Sequence, residues 1–241
     1  YSFLLEGLAD AGEALRERGI PLVVREGDPA GVVTDLAGDA SLLVTDRGYL
    51  RHQREWRLQV AESINCPMMQ VESDVVVPVE TVSGKEEYAA ATIRPKIHRL
   101  LPEFLIPLAE RRLHHPTPDP GLETLPWDDP RRILSGLDPD RSVLPVNGLR
   151  GGTIEARKRL RGFIATGLDR FTRERNDPKR GALSGMSPFL HFGQISPLEI
   201  ALAVKASGSP SADAYLEELI VRRELSMNFV LYDPNYDSLE C

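Results

Sequence analysis

SLLVTDRGYLRHQREWRLQVAESINCPMMQV, residues 41–71, holds two short apolar runs on either side of one amphipathic segment. Ser41–Thr45 and Pro67–Val71 read as strands, and Arg51–Ile64 places Trp56, Val60 and Ile64 on one helical face. Two strands joined through a helix pair in parallel by a crossover. Upstream, Ile20–Arg25 (IPLVVR) reads as another buried strand. Asp28-Pro29 supplies an N-cap and a first-turn proline for a helix through about Leu36. Phe3, Leu4, Leu8, Ala11 and Leu15 recur at helical spacing, and Gly19 is placed to end that helix. Downstream, Val75–Val79 reads as extended or as a short fourth strand. The first hundred residues are therefore α/β, a doubly wound parallel-sheet domain. Because the chain opens on a helix where such a sheet opens on a strand, a leading strand is expected to be missing.

Further along, Tyr88–Leu113 has a helical pattern broken by Pro95, Pro102 and Pro107. His114–Pro145 holds seven prolines and has no periodicity, as a linker would. After Gly148 the strand signals stop. Thr153–Arg173 reads as one long amphipathic helix, and Pro197–Ala206 and Ala212–Leu231 as further helices. The expected division is an α/β domain at 1–113, a linker at 114–148 and an all-α region at 149–241.

Composition excludes several classes. With 241 residues, 41% hydrophobic and 27% charged, the chain has the proportions of a globular protein rather than of a disordered or fibrous one. No apolar run approaches the length of a membrane span, and the start does not read as a signal peptide. Cys66 and Cys241 form no disulfide framework, and a reducing, cytoplasmic compartment fits them. His52, His98, His114, His115 and His191 have no ligand spacing, so no metal site is expected. The net charge of −7 argues against nucleic acid, but residues 150–180 carry 10 basic against 4 acidic residues. Such a stretch suits a phosphate backbone, and it equally suits a solvated helix face.

The motifs that could carry chemistry lie mostly in the second half. Asp46-Arg47-Gly48 follows a strand end, a common ligand position, but the signal is weak alone. Ser184, Gly185 and Ser187 stand just before a helix at Pro188 and could hold an anion such as a pyrophosphate. The same residues equally form a capping turn with Ser187 as N-cap. His191, between Leu190 and Phe192, reads more readily as a packed residue than as a catalyst. Glu218 and Arg222 stand four apart and could form an ordinary helix pair, whereas a functional role needs Glu218 in a cavity.

Three strings, GKEEYAAATIRPKIHRLLPEFL (84–105), RNDPKRGALSGMSPFLHFGQIS (175–196) and EELIVRRELSMNFVLYDPNYDSLE (217–240), resemble class II cyclobutane pyrimidine dimer DNA photolyases, of the photolyase/cryptochrome family. The resemblance runs with gaps over the whole chain. It implies an antenna-type α/β domain, a linker and part of an all-α FAD-binding domain. The implied activity is light-driven, FAD-dependent electron transfer that splits pyrimidine dimers in double-stranded DNA. It further implies a monomer in the cytoplasm, at the nucleoid in a bacterium or archaeon.

Carried over by position, Phe171, Leu183, Ser184, Gly185, Met186 and Ser187 would contact FAD, with the serines near its phosphates. Phe171 stands where relatives can have a tyrosine and lacks the hydroxyl. Arg175 would touch DNA or cofactor phosphate. Glu218 would be the catalytic carboxylate against the lesion, and Arg222 stands where some relatives have a lesion-stacking tryptophan. An antenna chromophore of deazaflavin or folate type is also implied, its identity open. The family's helical domain continues past NYDSLE and carries there the tryptophan chain, which Trp56 and Trp127 cannot replace. The 241 residues are therefore expected to be a piece truncated at both ends, binding FAD weakly or not at all alone and repairing nothing. The rival readings are a cryptochrome-like photosensor without repair activity and, third, a non-catalytic nucleotide-binding α/β module.

Overall fold

The computed structural model describes residues 1–109, 111, 113, 117 and 121–239; His114, His115 and Cys241, with the opening of the expected linker, lie outside the described residues. Helix α1 (Ser2–Glu17) closes at Gly19, whose φ of 72° is the left-handed conformation that favours glycine, and the Ile20 N–H donates to the Leu15 carbonyl at 3.0 Å. Helix α2 (Pro29–Leu36) begins on Asp28, whose carboxylate accepts the Gly31 N–H at 2.8 Å. Strand β1 (Leu43–Asp46), helix α3 (Arg51–Ser63) and strand β2 (Met68–Val71) make the crossover unit. The strands pair in parallel, Leu43 opposite Met68 and Asp46 opposite Val71.

Helices α4 (Val79–Val82), α5 (Ala90–Phe104), α6 (Pro130–Gly136) and α7 (Thr153–Thr166) follow. Next come a 3-10 turn at Leu168–Arg170, α8 (Phe171–Glu174), α9 (Ser187–His191) and α10 (Pro197–Ala206). Helix α11 (Ala212–Leu216) passes through a π-helical turn (Glu217–Arg222) into α12 (Arg223–Tyr232). The fold is α/β with a parallel sheet and a helical remainder, as the sequence implies.

Four local expectations are corrected. Ile20–Arg25 is not a strand: among the described residues the Val24 backbone bonds to Thr124 and Leu125, donating to the Thr124 hydroxyl at 2.9 Å and accepting the Leu125 N–H at 2.8 Å. Val75–Val79 is not one either, because the Val76 and Val77 N–H groups bond to a side chain instead of a neighbouring strand. Pro95 and Pro102 do not break α5 but lie inside it. The carbonyls they release, four residues back, belong to the exposed Ala91 and His98, where water can serve them. The helix expected over Thr153–Arg173 stops at Thr166 and restarts after Gly167 in a tighter turn.

Two compact units interleave along the chain. One comprises Tyr1–Glu26, Leu108–Ala165 and Ser184–Ile195. In it α1 packs on α6, and the Phe3 ring tilts on Phe189 at 5.1 Å. Acidic side chains of α1 serve the start of α7: Glu6 accepts the Gly151 N–H at 2.7 Å and Asp10 the Ile154 N–H at 3.2 Å. Negative charge there complements the helix dipole. Buried Gln194 ties the same place, accepting the Gly152 N–H at 2.7 Å and donating to the Phe3 carbonyl at 2.9 Å.

The other unit comprises Gly27–Pro107, Thr166–Leu183 and Ser196–Cys241. Its core includes Tyr49, Val75 and Val79 with Met227, Val230, Leu231 and Tyr232 of α12. A polar stripe of α12 serves the segment 76–87. Glu224 accepts the Val76 and Val77 N–H groups at 2.8 and 3.1 Å. Asn228 accepts the Glu87 N–H at 2.8 Å and donates to the Lys85 carbonyl at 3.0 Å, and the Tyr232 hydroxyl donates to the Ser83 carbonyl at 2.9 Å.

Glu224 is 1% exposed, and its Oε2 is buried with no hydrogen-bond partner. Burial pushes its carboxyl up to about 7, against the two backbone donors and Arg223, while Glu72 adds to the rise. Burial thus favours the neutral acid up to about pH 7. A raised carboxyl lends stability that is whole below its ordinary value and lost as pH climbs through the raised one. We expect denaturant unfolding of the chain to lose about 3 kcal/mol between about pH 4.5 and pH 8 from this group. Glu224→Gln, which keeps the acceptor and cannot ionise, should remove that part of the slope; an unchanged slope in the variant would contradict the assignment.

Candidate functional site

The continuous helix from Ala212 to Tyr232 contains one wide turn, and that turn carries the candidate acid. In a regular helix Glu218 and Arg222 would be neighbours at i, i+4. The π turn over Glu217–Arg222 inserts an extra residue and shifts the partners by one place. Arg222 Nε therefore comes to 3.7 Å from Glu217 Oε1, and Glu218 turns to Arg175, with Oε1 3.1 Å from Nη1. The expected Glu218–Arg222 pair is corrected accordingly. Wide turns of this kind are frequent where helices carry function.

Glu217 is held on a second side. Arg94 of α5 donates Nη2 and Nε to its carboxylate at 2.7 and 3.0 Å, a forked pair. These hydrogen bonds hold the Glu217 carboxyl below the usual carboxylate range, and Arg94 is correspondingly raised. Glu218 keeps 44% of its side chain exposed, so it is oriented by Arg175 and still open to a ligand. The Arg175 guanidinium lies over the Phe171 ring at 5.5 Å, and Phe171, itself buried, meets Tyr215 edge-on at 5.1 Å. Arg222 is exposed on the same turn. One unit thus brings together Phe171, Arg175, Glu218 and Arg222; Leu183, at its edge, is 58% exposed.

Ser184, Gly185, Met186 and Ser187 belong to the other unit. Helix α9 starts at Ser187 with Met186 as its N-cap, so Ser187 is not the cap. The local hydroxyl bond comes from Ser184, whose Oγ accepts the Met186 N–H at 3.3 Å and shapes the turn. Gly185 has a φ of +64°, and a Cβ there would lie 2.6 Å from Nη1 of Arg159 on α7. Met186 is buried, whereas His191 is exposed and rests edge-on against Phe192 at 4.6 Å; it is no core residue.

At the end of β1, Asp46 accepts the Ser73 hydroxyl at 2.6 Å and Arg47 pairs with Glu80 at 2.6 Å, so both are engaged within the protein. A cavity of about 570 Å³ lies beside α3, lined among others by Arg51, Arg54, Arg57, Leu58 and Tyr236. Arg51 is tied to Asp237 at 2.6 Å. Burial, with Arg47 and Arg54 adding repulsion, pushes Arg57 down, and its hydrogen bonds go to neutral oxygens of Gln70 and Gln53. Among the described residues no cluster suits a metal ion, and no helix is long and apolar enough to cross a membrane.

Residues 1–120 match the DNA photolyase family. Over its whole length the chain is 49% identical to the deoxyribodipyrimidine photo-lyase of Methanothermobacter thermautotrophicus and 36% identical to that of Potorous tridactylus. The chain belongs to the photolyase/cryptochrome family. It spans about half the length of the curated relatives it matches, 53% and 46% of these two. Two solved structures share the fold. A Synechocystis cryptochrome has a TM-score of 0.76 at 18% identity, over 95% of this chain and 50% of its own. A class III photolyase of Agrobacterium tumefaciens has a TM-score of 0.67 at 19% identity, over 97% and 50%.

Two features of this photolyase-family chain escape sequence reasoning. The π turn leaves no mark in the helical spacing, and Arg94 lies 123 residues from the glutamate it grips. Replacing Arg94 by Met removes the fork. We expect the denaturation midpoint of the variant to fall below that of the unaltered chain at pH 7. The Glu217 carboxyl, followed by carbon-detected NMR, should return toward its ordinary range. Since its contribution is present above that range and fades as pH falls through the lowered value, the difference between the proteins should shrink in acid.

Proposed function

We propose that this chain serves a class II deoxyribodipyrimidine photolyase acting on cyclobutane pyrimidine dimers in double-stranded DNA. In this reading 1–113 is the antenna-type part, 114–148 the linker and 149–241 part of the FAD-binding region. The protein works as a monomer in the cytoplasm, at the nucleoid in a bacterium or archaeon. The observation that carries the reading is the pairing of Arg175 with a half-exposed Glu218 on a wide helical turn, while its neighbour Glu217 is consumed by Arg94.

FAD fits the residues present. At Gly185 a side chain would fill the place taken by the Arg159 guanidinium, so a bare backbone is kept where a phosphate must come close. Phe171 offers a ring and no hydroxyl. Leu183, Ser184, Gly185, Met186 and Ser187 would hold the cofactor, the serines nearest its phosphates. When bound, FAD supplies the light-driven electron that opens the cyclobutane ring. A deazaflavin- or folate-type antenna would belong to the α/β part.

The chain's own residues do the rest. Glu218 accepts hydrogen bonds from the edge of a flipped pyrimidine and favours the charge distribution of the ring-opening state. Arg175 fixes the carboxylate's direction at 3.1 Å. Arg175 and Arg222, exposed beside it, offer charge to DNA phosphates, which positions the duplex without reading its sequence.

The test is light-dependent loss of thymine dimers from a duplex oligonucleotide, using the protein that carries this chain. Repair in light and none in darkness is expected, and Glu218→Gln should lower repair per absorbed photon by about tenfold while flavin content is kept. Flavin photochemistry without any dimer loss would mark a photosensor instead.

A further inference from the structure

We propose that Arg159 is a phosphate-gripping residue, holding a pyrophosphate against the Ser184–Ser187 turn. This rests on the reading of Leu183–Ser187 as the flavin-binding segment, and it adds a residue from a different helix. Arg159 lies on α7 next to buried Leu160, and it is itself half-buried. Four of the ten cations of the surrounding basic stretch are paired with carboxylates: Lys158 with Glu155 at 3.3 Å, Arg170 with Glu174 at 2.7 Å, Arg175 with Glu218 at 3.1 Å and Arg180 with Asp177 at 3.4 Å. Arg159 has neither an ion pair nor a hydrogen bond among the described residues.

A half-buried guanidinium with five donors and no acceptor is costly unless something outside the chain supplies one. Where that group lies is specific. Its Nη1 would meet a Cβ on Gly185 at 2.6 Å and its Cδ at 3.5 Å, so the side chain rests flat on the glycine. Gly185 is demanded twice, by the space the guanidinium takes and by its φ of +64°. A purely structural arginine would aim at a carboxylate or a carbonyl. This one presents a planar fork beside the turn, and that geometry suits two phosphate oxygens at once.

The experiment is phosphorus NMR titration of the chain with inorganic pyrophosphate at neutral pH and low salt. Saturable line broadening in the millimolar range is expected for the unaltered chain. Arg159→Met should weaken binding at least about tenfold, Arg159→Lys should weaken it less, and exposed Arg161→Met should leave it unchanged. Circular dichroism checks the folding of each variant, and the lysine variant keeps the comparison informative if the methionine variant unfolds. Unaltered affinity in both Arg159 variants, or no saturable binding by the unaltered chain, overturns the assignment. FAD is then added as competitor. Displacement of pyrophosphate supports the assignment and the flavin reading together. Binding that depends on Arg159 but resists FAD keeps the phosphate site and removes the flavin from it.

Discussion

One helix supplies the hydrogen bonds that a missing strand ladder would have supplied. Residues 75–87 bury valines at 75, 76, 77, 79 and 82, yet among the described residues no strand pairs with their backbone. Buried N–H and C=O groups without partners would be prohibitive. Glu224, Asn228 and Tyr232, at i, i+4 and i+8 on α12, reach five of these groups from one face. Met227, Val230, Leu231 and Tyr232 of the same helix pack against the cluster that holds Val75 and Val79, so the polar stripe and the apolar cluster join one helix to one segment.

That contact fixes the register of everything upstream on the helix. Rotating α12 by one residue, about 100°, would swing the stripe away from the segment it serves. The helix begins with Tyr215 buried against Phe171, so its start is fixed as well. Two fixed ends with one residue too many between them leave a wide turn, and the surplus falls at Glu217–Arg222. The acidic pair is split as a result. Glu217 goes to Arg94, and Glu218 faces Arg175 with almost half its side chain open. The position of the candidate acid thus depends on a hydrogen-bonded stripe two turns away.

What was legible in the sequence was local. Asp28-Pro29 is a cap signal confined to adjacent residues and starts a helix where expected, and the helix expected over Pro197–Ala206 has those bounds. The βαβ reading of 41–71 rests on periodicity within 31 residues, and the two strands pair in parallel. What was not legible depends on distant partners. IPLVVR has the composition of a buried strand, but strand formation needs a neighbour, and among the described residues the Val24 backbone bonds to Thr124 and Leu125 without a strand ladder. VVVPV has the composition of a strand, but it bends at Val76 and Val77 and enters a helix at Val79; its donors are answered by a glutamate 148 residues away. Among the site residues, hydroxyls and a glycine before a helix pointed to Ser184–Ser187 and the family resemblance to Glu218, while Arg94 and Arg159 could be singled out only once the helices were in place.

The same distinction reconciles a net charge of −7 with the proposed phosphate site. Net charge governs behaviour far from the surface, whereas within a Debye length of about 8 Å the local arrangement decides. Much of the negative charge is spent inside the molecule: Glu217 on Arg94, Glu87 on Lys96, Glu80 on Arg47, Glu6 and Asp10 on the start of α7. Carboxylates used this way cancel a neighbouring cation or a helix end and add little to the outer field. Cations left over, Arg159 beside Gly185 and Arg54 and Arg57 at the α3 cavity, keep theirs. Positive potential therefore gathers where the chain is short of acceptors, and an overall acidic surface elsewhere limits unspecific adhesion to polyanions.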